Sequence, residues 1–250
     1  MPHEQTIIIT HDGECPAYLF TPGNGQGGPA IIFYMDAGGI RPAELGMADR
    51  LADAGYVVLL PDLFYRFGPY GPFDPTELFK GDVRAILGPL MRTTGNAKAA
   101  EDTAAFLAYL DTRDDVEGEK VGAVGFCMGG GMAIAAAGTW PDRFASVASY
   151  HGGNLATDAS DSPHLYAPKL QAELYIAAAE NDGSYPAGMA ERFERSLSEA
   201  HVRYRAEIYP AAHGWMKPDF PVYDKVAAER GWQEMLSFFN RSLRPQPAAG

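Results

Sequence analysis

A chain of 250 residues with 46% hydrophobic and 21% charged residues has an ordinary globular composition and can bury a sizeable core. Asp and Glu outnumber Lys and Arg by 32 to 20, and the formal net charge of −12 repels phosphate backbones and anionic membranes, which speaks against nucleic-acid and membrane partners. Its two cysteines, Cys15 and Cys127, have no Cys or His neighbour at zinc-ligand spacing, so neither a disulfide framework nor a metal site is expected.

The first residues, MPHEQTIIIT, lack the basic segment and apolar run of a signal peptide, and no stretch is long enough to span a bilayer, so a cytoplasmic location is expected. Thr6 to Ile9 and Ala17 to Phe20 flank a turn sequence and predict a hairpin. Ala30 to Tyr34 is a continuous apolar run that predicts an interior strand ending in Asp36-Ala37-Gly38-Gly39. Pro42 opens a predicted helix with Leu45, Ala48 and Leu51 on one face, stopped at Gly55. Tyr56 to Leu60 predicts the next strand. The aromatic, Pro-rich stretch Phe64 to Pro75, which includes Tyr65 and Arg66, reads either as a pocket wall or as a connection pinned to the core. Thr76 to Arg92 predicts one or two short helices interrupted at Gly81 and Gly88-Pro89, and Asn96 to Thr112 a longer one with Asn96 as its N-cap. Strands are predicted over Phe144 to Tyr150, Ala172 to Ala178 and Tyr204 to Tyr209, and helices over Ala187 to Ala200 and Asp224 to Leu243. Alternating strands and helices without an internal repeat predict one doubly wound sheet, a single α/β domain over 1–243 and a frayed tail over 244–250.

Between the buried run Val121 to Val124 and the small-residue helix after it lies Gly125-Phe126-Cys127-Met128-Gly129, a nucleophile elbow G-x-S-x-G with cysteine for serine. The nucleophile stands on a strained turn, which leaves no room for bulk two residues before or after it. In a parallel sheet functional groups gather outside the C-terminal strand ends. Asp182 and His213 lie in such loops after Cys127, in the α/β-hydrolase order of nucleophile, acid and histidine. His151 competes with His213 and otherwise lines the pocket or caps a turn, and Glu180 competes with Asp182. His213 then accepts the thiol proton and Asp182 fixes its tautomer. The N–H groups of Met128 and Ala37 are the expected oxyanion donors.

With these residues placed, the chain resembles the dienelactone hydrolase family, cysteine hydrolases of the α/β-hydrolase fold. The resemblance rests on Gly55-Tyr56 to Pro61-Asp62-Leu63, Gly125 to Gly130, Asn181-Asp182 and Ala212-His213-Gly214. It implies a mostly parallel twisted sheet of about eight strands with helices on both faces, no cofactor, and cleavage of dienelactones through a thioester in chloroaromatic breakdown. It also implies that a carboxylate after the third strand, here Asp36 where the type enzymes carry glutamate, exchanges contact with the thiol and activates it when substrate binds. Lys217, four positions after the histidine, stands where the type enzymes bind the substrate carboxylate, with Arg66 and Arg84 as further candidates. An aromatic residue of the type enzymes is replaced by Gly38.

The expected function is therefore hydrolysis of small carboxylate-bearing lactones or esters, by a monomer or small homo-oligomer acting on a small-molecule substrate. The alternatives are a broader carboxylesterase or thioesterase on the same machinery, and a non-catalytic small-molecule binding protein that kept the fold.

Overall fold

Eight strands form one sheet in the computed structural model, which describes residues 3–23 and 25–244. In chain order they are β1 (Glu4–Thr10), β2 (Gly13–Phe20), β3 (Gly28–Tyr34), β4 (Val57–Pro61), β5 (Val116–Phe126), β6 (Phe144–Tyr150), β7 (Glu173–Ala179) and β8 (Tyr204–Tyr209). The helices are α1 (Pro42–Asp53), α2 (Pro75–Leu78), α3 (Val83–Met91), α4 (Asn96–Asp111), α5 (Met128–Thr139), α6 (Ala187–Glu199) and α7 (Lys225–Leu243). The spatial order is β1-β2-β4-β3-β5-β6-β7-β8, with β2 antiparallel to both neighbours and β4 through β8 parallel. This is the mostly parallel sheet of the α/β-hydrolase fold. β3 and β4 are buried along their whole lengths, as aliphatic strands under helices on both faces must be.

Strand order also decides where a site can form. From β3 the chain steps to β4 on one side and later returns to place β5 on the other. The loops after β3 and β5 therefore diverge and leave a crevice between them. Ala37 follows β3 and Cys127 follows β5, so the topology alone sets the two beside one crevice.

Several local expectations change. β5 begins at Val116, five residues before its buried part, and reaches β3 through a shift in register. α3 runs through Gly88-Pro89, capped at its start by Asp82, whose carboxylate accepts from the Ala85 N–H. α4 is not capped by Asn96. Asn96 is its first residue, and the Asp161 carboxylate accepts from the Ala97 N–H while the Asn96 amide donates to the Asp161 carbonyl. Leu45 is only half-buried on α1, and the buried position beside it is Glu44. Arg244 is anchored, its guanidinium donating to the carbonyls of Ala54 and Gly55; the rest of the expected tail lies outside the described residues. No helix among the described residues is long and apolar enough to cross a membrane.

Candidate active site

Cys127 joins β5 to α5 with φ 54° and ψ −116°, a conformation that side-chain-bearing residues rarely hold and that the surroundings must impose. The surroundings are backbone. A Cβ on Gly125 would stand 2.0 Å from the Gly129 carbonyl oxygen, and one on Gly129 would stand 2.2 Å from the Tyr34 oxygen and 2.6 Å from that of Met35. The two glycines thus let the turn fold back on itself and let α5 start against the end of β3. Gly129→Ala is expected to cost about 3 kcal/mol, because the added methyl meets backbone that cannot rotate away. Chemical denaturation of the variant measures this, and an unchanged midpoint would show that the β3 end moves freely.

Ala37 sits on the turn that follows, closed by the Gly39 N–H donating to the Asp36 carbonyl at 3.1 Å. Ala37, Cys127 and Met128 are each partly exposed, while their neighbours Asp36, Phe126 and Gly129 are buried. The crevice therefore opens at the thiol and at the two residues named as oxyanion donors.

His213 follows β8 and Asp182 follows β7. The His213 Nδ1 lies 2.6 Å from Asp182 Oδ2, and the other carboxylate oxygen accepts from the Ser184 hydroxyl at 2.6 Å and the Ser184 N–H at 2.8 Å. Burial works against a charged imidazole, but Asp182 and the Cys127 thiol outweigh it and push the His213 pKa up to about 10. Burial would raise Asp182, but His213 and Ser184 hold it down at about 2. The signs fix a pH window. His213, raised from 6.5, contributes stability that is complete below 6.5 and lost as pH rises toward 10; Asp182, lowered from 3.8, contributes stability complete above 3.8 and lost as pH falls toward 2. The melting-temperature difference between wild type and Asp182→Asn is accordingly expected to be largest between those two ordinary values and to shrink on both sides. A pH-independent difference would break the link to this pair.

Asp36 and Lys217 sit together in a buried charge cluster. Asp36 is buried, with Oδ1 accepting from the Gly38 N–H at 2.7 Å and from Arg41 Nη1 at 2.8 Å, and Oδ2 from Arg41 Nη2 at 2.9 Å. Its oxygens are engaged by Arg41 and the Gly38 N–H. Lys217 has no exposed surface; its Nζ lies 2.7 and 2.9 Å from the two oxygens of Glu44, 3.6 Å from Asp36 Oδ2, and 3.8 Å from the centre of the Phe126 ring. Arg41 completes the cluster through Glu44 at 3.1 Å and Asp219 at 2.6 Å. Burial opposes ionisation of Asp36, yet Lys217 and Arg41 hold its carboxyl well below the usual range, whereas burial and the neighbouring Asp36 push Glu44 up. Five charged groups thus bind the β3 loop, the start of α1 and the loop after His213 into one body.

The remaining candidates disperse. Tyr65 donates its hydroxyl to Asp102 and meets Thr10, and it lines a separate cleft of about 580 Å³ with Pro16, Tyr18, Ile40, Arg41 and Tyr70. Arg66 is held by Asp102 and Asp12. Arg84 is exposed on α3. In the stretch Phe64 to Pro75, Tyr70 acts as a pin: its hydroxyl donates to Asp62 at 2.7 Å and its ring fills the space above Gly39. His151 is buried beneath His213, ring centres 5.2 Å apart, and burial holds its imidazole neutral, with His213 and Lys217 adding to the effect. Neither of its ring nitrogens has a hydrogen-bond partner among the described residues. His151→Phe is therefore expected to raise stability by about 1 kcal/mol, since an orphaned polar ring is replaced by an apolar one of similar shape. A loss of melting temperature would show that the ring nitrogens are satisfied in solution.

Sequence reasoning passed over Ser184, Arg41, Glu44 and Asp219. Ser184 had a visible signal, Asp182-Gly183-Ser184, in which a serine two residues after an aspartate closes a local turn on it. The cluster had little, because Lys217 and Asp219 come from a segment far along the chain from Asp36, Arg41 and Glu44.

With this geometry in hand, the family model described as the dienelactone hydrolase family matches residues 15–243. The chain belongs to the dienelactone hydrolase family. A carboxymethylenebutenolidase homolog of Mus musculus is 28% identical over 221 residues, covering 86% of this chain and 82% of its own. Among solved structures, a Klebsiella pneumoniae protein superposes with a TM-score of 0.84 at 24% identity, over 96% of this chain and 98% of its own. A dienelactone hydrolase-like promiscuous phosphotriesterase from metagenomic libraries gives 0.76 at 23% identity, over 98% and 100%. At those identities the structures speak for the fold. Family and relatives together make the chain a dienelactone hydrolase-like hydrolase.

Proposed function

We propose that this enzyme hydrolyses carboxylic esters and small lactones through Cys127, His213 and Asp182. With the thiol proton held on His213, Sγ attacks the acyl carbon, and the N–H groups of Met128 and Ala37 receive the oxyanion that forms. Collapse breaks the bond to the alcohol oxygen, which leaves with the proton from His213; in a lactone it stays tethered to the acyl chain. The resulting thioester is opened by water, whose proton passes to His213, and the thiol is restored. Asp182 holds Nδ1 so that the other ring nitrogen does this work.

The observation that carries the reading is the 2.6 Å contact of His213 with Asp182 beside a cysteine held in a strained, half-exposed elbow. Intact-mass measurement after rapid mixing with p-nitrophenyl acetate tests it. Wild type is expected to gain one acetyl group that Cys127→Ala does not. An adduct on both proteins, or p-nitrophenol released equally by both, would remove Cys127 from the mechanism.

A further inference from the structure

We propose that Tyr70 is a positioning residue of this site: it clamps the turn Asp36 to Gly39 and so keeps the Ala37 N–H in one place beside Cys127. The inference rests on the hydrolase reading above, in which that N–H receives the oxyanion. A backbone donor stabilises a developing charge best when it is already in place, so the turn that carries it must not drift. Asp36 and Arg41 secure the first part of that turn. The Gly38 N–H and Arg41 Nη1 both donate to Asp36 Oδ1, and Arg41 Nη1 also donates to the Gly39 carbonyl at 3.1 Å. The rest is secured from outside the charge cluster. The Ile40 N–H donates to the Tyr70 hydroxyl at 3.3 Å, and that hydroxyl donates to Asp62 Oδ1 at 2.7 Å. Burial and the neighbouring Asp62 push the Tyr70 hydroxyl up, which keeps its proton available for the carboxylate.

Tyr70 also bears on the turn by contact. Gly39 holds φ 72°, and a Cβ there would stand 2.4 Å from the ring carbon Cε2 and 2.8 Å from the hydroxyl oxygen, so the ring lies against the Gly39 backbone itself. The ring in turn meets Phe64 edge to face at 5.4 Å and stacks on Phe73 at 6.0 Å. The far end of the clamp is fixed too. Asp62 follows β4, the neighbour of β3 in the sheet; its N–H donates to the Pro16 carbonyl at 2.8 Å and its Oδ1 accepts from the Phe64 N–H at 3.0 Å. One side chain thereby ties the loop after β3 to the end of β4, and it acts on the chemistry only through Ala37.

Tyr70→Phe removes the hydroxyl and keeps the ring, and Tyr70→Ala removes both. Acylation and deacylation each pass through an oxyanion, so both steps slow together. For p-nitrophenyl acetate, kcat is expected to fall about tenfold in Tyr70→Phe and about a hundredfold in Tyr70→Ala, with KM within about twofold of wild type. A trifluoromethyl ketone, whose carbonyl carbon takes Sγ and whose oxygen becomes the same oxyanion, is expected to bind more weakly by matching factors. Alkylation by iodoacetamide forms no oxyanion, since Sγ displaces iodide. It reads Cys127, because Cys15 is fully buried, and its rate is expected to stay within about twofold of wild type in both variants. Asp62→Asn, which still offers an acceptor, is expected to keep kcat within about threefold of wild type, and Asp62→Ala to match Tyr70→Phe. Wild-type kcat in both Tyr70 variants, or an alkylation rate that falls in step with kcat, would overturn the proposal. If Cys127 takes no acetyl group at all, the hydrolase reading fails and the role of Tyr70 with it; with the adduct formed, an unchanged kcat removes Tyr70 alone.

Discussion

Cys127→Ala is expected to lower kcat for ester hydrolysis by at least about four orders of magnitude, because nucleophile and histidine act as a unit and removing the attacking atom leaves only binding and the oxyanion donors. The fold is expected to survive. Alanine keeps the same Cβ at φ 54°, so the strain of the turn is unchanged. Cys127→Gly separates the two effects further. It abolishes the same chemistry yet relieves the backbone, and is expected to gain about 1 kcal/mol in denaturant unfolding. An elbow variant that is inactive and also unfolded would attribute the loss to structure rather than to the missing sulfur.

Lys217→Met is expected to destabilise the protein by about 2 kcal/mol, the cost of taking a charged donor from Glu44, which keeps only Arg41. Both Glu44 oxygens lie within 2.9 Å of Nζ, and Asp36 stands at 3.6 Å. Methionine fills the space over Phe126 but offers no charge. Pairing it with Glu44→Gln is expected to recover most of the loss, since both charges then leave the interior together. Urea titration of the single and double variants measures this. A single variant as stable as wild type would mean that water reaches Glu44, and with it Lys217.

The sheet and the elbow were readable because their signals are local. Aliphatic runs ending at loops gave β3, β4 and β5, and glycines two residues either side of Cys127 announced a crowded turn. Asp182 and His213 followed from chain order and strand ends, and the structure brings the two together. The charge cluster was unreadable for the opposite reason. Glu44, in the first turn of α1, carries the pattern of an exposed acid favoured by the helix dipole, and the Lys217 ammonium that holds both its oxygens lies 173 residues further along the chain. The pairing of Asp36 with Arg41 is likewise not legible, because the loop that closes it is an irregular turn. A motif position reports residue type and not accessibility, so the burial of Lys217 is not legible either.

The elbow distributes its constraints unevenly. Positions 125 and 129 are pressed against backbone oxygens at 2.0 and 2.2 Å, so no side chain enters them without moving β3 or α5. The side chain at 127 points into the crevice and bears none of that load. Exchanging sulfur for oxygen there alters one atom and disturbs no packing, while a methyl group two residues away disturbs the whole junction. The reactive atom is the replaceable part of this machine, and the glycines around it are the fixed frame, so a change of nucleophile is open to this scaffold by a single substitution where a change of turn is not.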